Sequence, residues 1–287
     1  MQFVTFQHES GLRPGVLVQD GVIDLGSDVA DLVSLIQLGD EGLRRAQSAI
    51  EAAANPIPLA EVQLRAPIPR PRQNVICVGM NYVEHAYESA RSRGLPETLP
   101  PHPVFFTKAV TSVNYHEGVV PLHSELTSQL DWEVELAVII GRAMRDVPAE
   151  QALDYVFGYT IVNDVSARDI QNRHQQFFKG KSLDGTCPMG PAIVTADEIG
   201  DPHTLRLTLR VNGETMQDSS TSDLIFNVPT LLETLSRGQT LEPGDILSTG
   251  TPSGVGMGKN PPTYLKAGDV MEAEIEKLGI LRNRVGD

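Results

Sequence analysis

The side chains best placed to do chemistry lie in one run, Asp131-Trp132-Glu133-Val134-Glu135-Leu136-Ala137-Val138-Ile139-Ile140. Its alternation predicts a β-strand with Trp132, Val134, Leu136, Val138 and Ile140 on one apolar face. Asp131, Glu133 and Glu135 then share the other face. Neighbouring carboxylates repel, and partial burial adds a desolvation cost that a cation would offset. The run reads either as half of a hard-metal site or as a solvated edge strand with an acidic outer face. A second acidic element, Asn163-Asp164-Val165-Ser166-Ala167-Arg168-Asp169-Ile170-Gln171, directly follows a strand pattern over 157–163. Asp164 is either the N-cap of a helix over 165–174 or a third oxygen ligand beside Glu133 and Glu135. Oxygen-only ligands favour Mg²⁺, Mn²⁺ or Ca²⁺ over zinc. Arg168 and Gln171, one turn on, can reach the same side.

In Gly79-Met80-Asn81-Tyr82-Val83-Glu84-His85-Ala86-Tyr87-Glu88, His85 and Glu88 are three apart on a helix predicted over 82–91. A carboxylate bonded to imidazole fixes its tautomer and makes a general base, although a surface ion pair has the same spacing. Two Gly/Pro loops, 179–188 with Lys181 and 248–256 with Thr249, Gly250 and Thr251, can bring backbone close to a ligand. The glycine run Gly254–Lys259 lacks phosphate-loop spacing, and Asn260 stands where Ser or Thr is needed. The seven histidines form no HxH or HExxH, so a histidine zinc site has no support.

The elements that must position these groups are mostly strands. Strand patterns recur at 3–7, 15–19, 22–25, 74–78, 104–107, 131–140, 157–163, 191–194, 204–211, 214–218, 245–249, 269–276 and 280–284. Asp20-Gly21 and Asn212-Gly213 mark hairpins. Helical patterns lie at 29–38, 41–54, 82–91, 148–155, 165–174 and 228–236. Many strands and few helices predict an α+β, β-rich chain. The prolines at 56, 58, 67, 69 and 71 place a linker between a small N-terminal domain, 1–70, and a second domain, 71–287. Residues 92–103, rich in Gly and Pro, read as a lid loop.

The 287 residues, 40% hydrophobic, suffice for one large domain with a small companion. A net charge of -14 makes nucleic acid and anionic lipid poor partners, while a small anion stays possible at a locally positive site. Cys77 and Cys187 stand far apart without a CxxC, which fits reduced, buried thiols in a cytoplasmic protein. Cys187, in a loop near Lys181, could instead be reactive. Met1–Phe6 lacks a signal-peptide pattern, and no apolar run has the length of a membrane span.

Together GMNYVEHAYE, DWEVELAVIIG, YTIVNDVSARDIQ, GKSLDGTCPMGP and LSTGTPSGVG, in this order, resemble the fumarylacetoacetate hydrolase family. The resemblance implies a mixed β-sandwich roll behind a variable N-terminal α/β domain, and assembly as a homodimer. It implies Glu133, Glu135 and Asp164 as ligands of Mg²⁺ or Mn²⁺, with Ca²⁺ a substitute. His85 and Glu88 match a water-activating lid pair, and Lys181 a catalytic lysine. Arg168, Gln171 and Thr251, or its neighbours Thr249 and Gly250, match substrate contacts. One departure is that longer members place a further carboxylate just before the His, where Val78–Asn81 has none. Asp131 precedes the family motif and is expected at the rim. The implied activity is metal-dependent C–C cleavage of 2,4-dioxo acids of the acylpyruvate or fumarylpyruvate kind. The same enolate would serve an oxaloacetate decarboxylase, a keto–enol or hydroxydienedioate isomerase, or a sugar-acid enzyme. A non-catalytic 2-oxo-acid binder is the reading from another class.

Overall fold

A computed structural model describes residues 1–8, 11–19, 21–26, 29–53 and 55–286. A twelve-stranded mixed sheet forms the frame. Its main path runs Ile57–Pro58, Gly21–Asp24, Gly11–Val18, Gln2–His8, Cys187–Thr195, Val156–Asn163, Val134–Ile140, Ile246–Ser248, Val75–Gly79 and Val104–Lys108. Val134–Ile140 is central and antiparallel to both neighbours, with Ala137 opposite Thr160 on one side and Ser248 on the other. A five-stranded sheet (Glu214–Ser220, Arg206–Val211, Val270–Ile275, Gly279–Gly286, Val119–Pro121) is the second layer.

Each face of the large sheet has its own core. Trp132, Val134, Leu136, Val138 and Ile140 join Leu207, Leu209, Met271, Ala273 and the helix Val228–Ser236 in one cluster. Ala137 and Ile139, on the opposite face, pack with Leu32, Leu35, Ile36 and Ala46 from the helices Leu32–Gln37 and Asp40–Ala52. The result is the strand-rich α+β sandwich that the sequence predicts. Gln2 and Phe3 pair with Val194 and Ile193, and the Thr5 hydroxyl donates to the Pro67 carbonyl, so the first strand is hydrogen-bonded into the large sheet. Among the described residues no helix is long and apolar enough to cross a membrane.

Three expectations need correction. The strand predicted over 131–140 is broken: Leu130–Asp131 pairs with Ser166–Ala167, and regular pairing resumes at Val134. The solvated-edge reading fails because every residue of 131–140 is buried, the strand being paired on both edges and covered on both faces. The helix expected from 165 starts at Arg168 with Ala167 as N-cap, so Asp164 caps nothing. Asp20 of the first predicted hairpin turn and Ala54 of the second predicted helix lie outside the described residues.

Candidate active site

The sheet positions the acids. Asp164 N–H donates to the Glu133 carbonyl at 2.8 Å, and Glu133 N–H donates to Asn163 Oδ1 at 2.9 Å. These bonds tie the end of Val156–Asn163 to the start of the central strand. Glu133, Glu135 and Asp164 consequently offer oxygens that all lie within 4.8 Å of one another, in a fully buried setting.

Burial on this scale demands cations, and the fold supplies three. Lys181 Nζ bridges Glu133 Oε2 at 2.6 Å and Asp164 Oδ2 at 2.7 Å. Lys108 Nζ lies 2.7 Å from Asp164 Oδ1 and donates to the Val165 carbonyl. Arg168 reaches Asp131 Oδ2 at 2.9 Å through Nε and Glu133 Oε1 at 2.7 Å through a terminal nitrogen. Burial would raise the Glu133 carboxyl, but Lys181 and then Arg168 outweigh it and hold the group below its usual range. Against burial, Asp164 and Glu133 hold the Lys181 ammonium above its usual range.

Glu135 is the exception. Its Oε2 accepts from the Ser248 hydroxyl at 2.5 Å and the Gly250 N–H at 3.1 Å, and no lysine or arginine pairs with it among the described residues. Burial pushes its carboxyl well above the usual range, and Asp164 and Glu133 push it further. Four buried carboxylates (131, 133, 135, 164) thus face three buried cations (108, 168, 181). A residual negative charge, an all-oxygen donor set and an adjoining cavity of about 40 Å³ fit one hard divalent ion.

The helix Val83–Ser92 covers this cavity. His85 Nδ1 lies 3.1 Å from Glu88 Oε2, and both side chains are nearly buried, so the pair is no surface ion pair. A carboxylate at Oε2 accepts a hydrogen bond from Nδ1–H, which leaves the Nε2 lone pair available as a base. Asn81 fixes the turn into the helix, donating to the Thr249 and Phe226 carbonyls and accepting from Phe226 N–H. Residues 93–99, beyond the helix, are exposed.

His85, Glu133, Glu135, Arg168, Gln171, Lys181 and Thr251 all line the cavity, together with Arg93 and Phe106. Thr249 and Gly250, expected at the substrate, do not. The Thr249 hydroxyl is spent on the Leu136 carbonyl, and the Gly250 N–H on Glu135. Gln171 Oε1 accepts from Arg168, and Thr251 Oγ1 accepts from Gln217. Asp131 is not at a rim but fully buried, accepting from Arg168, Trp132 N–H, Gly256 N–H and Met257 N–H. Cys187 opens the strand Cys187–Thr195 rather than a loop, and burial pushes its thiol up to about 12.

Sequence reasoning missed two cations. Lys108 ends the apolar strand Val104–Lys108, and no local signal marks it as buried beside Asp164. Arg93 looks like one more charge in a polar loop, yet it faces the cavity and has no carboxylate partner among the described residues. Its guanidinium is steadied by the Ser89 carbonyl at 3.0 Å and the Ser89 hydroxyl at 3.1 Å. Burial, then the charge of Arg168, lower its pKa.

A family model described as fumarylacetoacetate (FAA) hydrolase C-terminal matches residues 74–286. Oxaloacetate tautomerase YisK of Bacillus subtilis (strain 168) is 45% identical over 305 residues, covering 100% of each chain. Among solved structures, a fumarylacetoacetate hydrolase from psychrophilic Exiguobacterium antarcticum gives a TM-score of 0.85 at 42% identity. That match covers 100% of this chain and 99% of the other. A maleylpyruvate hydrolase from Sphingobium sp. SYK-6, solved with manganese(II) ion and pyruvate, gives 0.79 at 31% identity over 100% and 99%. Matched over residues 74–286, from the strand Val75–Gly79 to the last strand, this chain belongs to the fumarylacetoacetate hydrolase family.

Proposed function

We propose that this protein is a divalent-metal enzyme that interconverts the keto and enol forms of a short 2-oxo dicarboxylate of the oxaloacetate class. The observation that carries the reading is one small cavity lined by two acids of the buried three-carboxylate cluster, Glu133 and Glu135, by an imidazole base and by an arginine with no carboxylate partner among the described residues. The full-length likeness to an oxaloacetate tautomerase supports it over C–C hydrolysis, which the motifs alone place first. Glu133, Glu135 and Asp164 would hold Mg²⁺ or Mn²⁺, which supplies Lewis-acid polarisation of a 2-oxo carbonyl.

The protein's own groups do the rest. His85 Nε2 accepts the proton from the carbon next to the keto group, and Glu88 stabilises the imidazolium that results. Lys181 has two of its three N–H bonds committed to Glu133 and Asp164, so the third remains for the developing enolate oxygen. Arg93 meets the second carboxylate of the substrate. The proton returned to oxygen or to carbon decides the direction.

The test is decay of enol absorbance in freshly dissolved oxaloacetate, with Mn²⁺, with Mg²⁺ and with EDTA. Rates equal to the protein-free control in every metal would reject the reading. Hydrolysis of 2,4-dioxo acids is kept as the second reading, because the His85–Glu88 pair can equally activate water and a maleylpyruvate hydrolase shares the fold. Pyruvate release from acylpyruvates, without oxaloacetate turnover, would select it.

A further inference from the structure

The glycine run that fails as a phosphate loop has another use. Residues Gly254–Gly258 lie directly against the lid helix. The Gly254 N–H donates to Glu88 Oε1 at 3.0 Å, while Glu88 Oε2 meets His85. A Cβ on Gly258 would sit 2.1 Å from Glu88 Oε1 and 2.3 Å from its Cδ and Cγ. Gly258 does not have a positive φ, so any residue could adopt its backbone. Glycine is required there for room, and the room is filled by Glu88. The other two glycines have different reasons. Gly254 has φ +100, and a Cβ on Gly256 would lie 1.9 Å from the Thr263 carbonyl.

The loop is itself anchored. Asp131 accepts from Gly256 N–H at 2.7 Å and Met257 N–H at 3.0 Å, and the same carboxylate holds Arg168, which contacts Glu133. The Asp131 carboxylate, assigned no part in the chemistry, therefore joins the loop under the lid to the acid cluster.

We propose that Gly254–Gly258 is the seat of the lid, with Gly258 a positioning residue that lets Glu88 dock and aim His85, and Asp131 the anchor that holds the seat in register with the carboxylates. Substrate entry then requires Glu88 to leave this seat, and turnover requires it to return.

The experiment is Gly258→Ala, read by amide hydrogen exchange over the lid helix and by steady-state kinetics, alone and in a Glu88→Ala background. With Glu88 intact, exchange over 83–92 should quicken about tenfold or more while the central strand stays protected. The kcat should fall about tenfold, because His85 loses its aim. In the Glu88→Ala background Gly258→Ala should change neither exchange nor melting temperature, since the atoms it would strike are gone. Wild-type exchange in the single variant, or an equal effect in both backgrounds, overturns the proposal. The kinetic arm rests on the proposed role of His85 and Glu88, whereas the exchange arm does not, so the two fail separately. Misfolding of the single variant would be rescued by Glu88→Ala if the clash is its cause, and would persist otherwise.

Discussion

Replacement of Glu135 by Gln isolates the charge imbalance in the core. The amide is nearly isosteric, and its oxygen can still accept from Ser248 and the Gly250 N–H. What is lost is the one carboxylate of the cluster without a lysine or arginine partner among the described residues. Relief of an uncompensated buried group is worth about 1–3 kcal/mol. At about 2 °C per kcal/mol for a chain of this size, the melting temperature in EDTA should rise by about 2–6 °C. The sign of the pH dependence follows. The folded carboxyl lies above its ordinary 4.5, so the unfolded chain releases its proton first and binds fewer protons. In EDTA the wild type should lose stability relative to Glu135→Gln as pH rises past that value, up to the folded one. Below it the two should converge. With ion, the wild type gains more: at a hundredfold excess over Kd a site ligand adds about 2.7 kcal/mol to it. The variant, with a neutral amide in place of a carboxylate, should gain less than half of that. Differential scanning fluorimetry from pH 4 to 8, with EDTA or Mn²⁺, reads all of this. A variant that melts below wild type in EDTA, or that keeps the full Mn²⁺ shift, would refute the charge count and the ligand assignment together.

Other outcomes follow from single contacts. Arg93→Gln should raise KM for oxaloacetate about tenfold or more while sparing a 2-oxo monocarboxylate, as expected for loss of one charge-assisted contact; an equal effect on both substrates would remove Arg93 from the distal carboxylate. Lys181→Met should lower kcat about 10²–10⁴-fold, because it deletes the donor for enolate charge; near-wild-type turnover would exclude Lys181 from the reaction. Cys77 and Cys187 are both buried, so neither should react with a thiol reagent until the protein unfolds; rapid modification of the native protein would contradict the packing around them.

Alternation made the acid cluster legible. A two-residue period in a run of Val, Ile and Leu fixes which side chains share a face, and Glu133 and Glu135 are therefore neighbours whatever the rest of the chain does. The same rule misled at Asp131, because the strand breaks at Trp132–Glu133 and Asp131 is turned to face the loop 256–257. Lys108 and Arg93 were illegible for another reason. Lys108 acts through a contact to Asp164, 56 residues on, and Arg93 through the cavity it shares with Arg168, 75 residues on, and no local period encodes either. Thr249 and Thr251 illustrate a finer limit. Both occupy one Gly/Pro loop, yet only the tertiary fold decides that one hydroxyl closes on Leu136 and the other borders the cavity.

The placement of the groups across the fold has a consequence for how such a protein can diversify. The acids stand on or beside paired strands sandwiched between two cores, so a change there is a change to the foundations. His85, Glu88 and Arg93 ride instead on one short outer helix and its trailing loop. On the proposed function, mutation there would retailor which acid is admitted, and where its proton goes, at little cost to the frame. On that reading, one scaffold would in this way serve both isomerisation and bond cleavage.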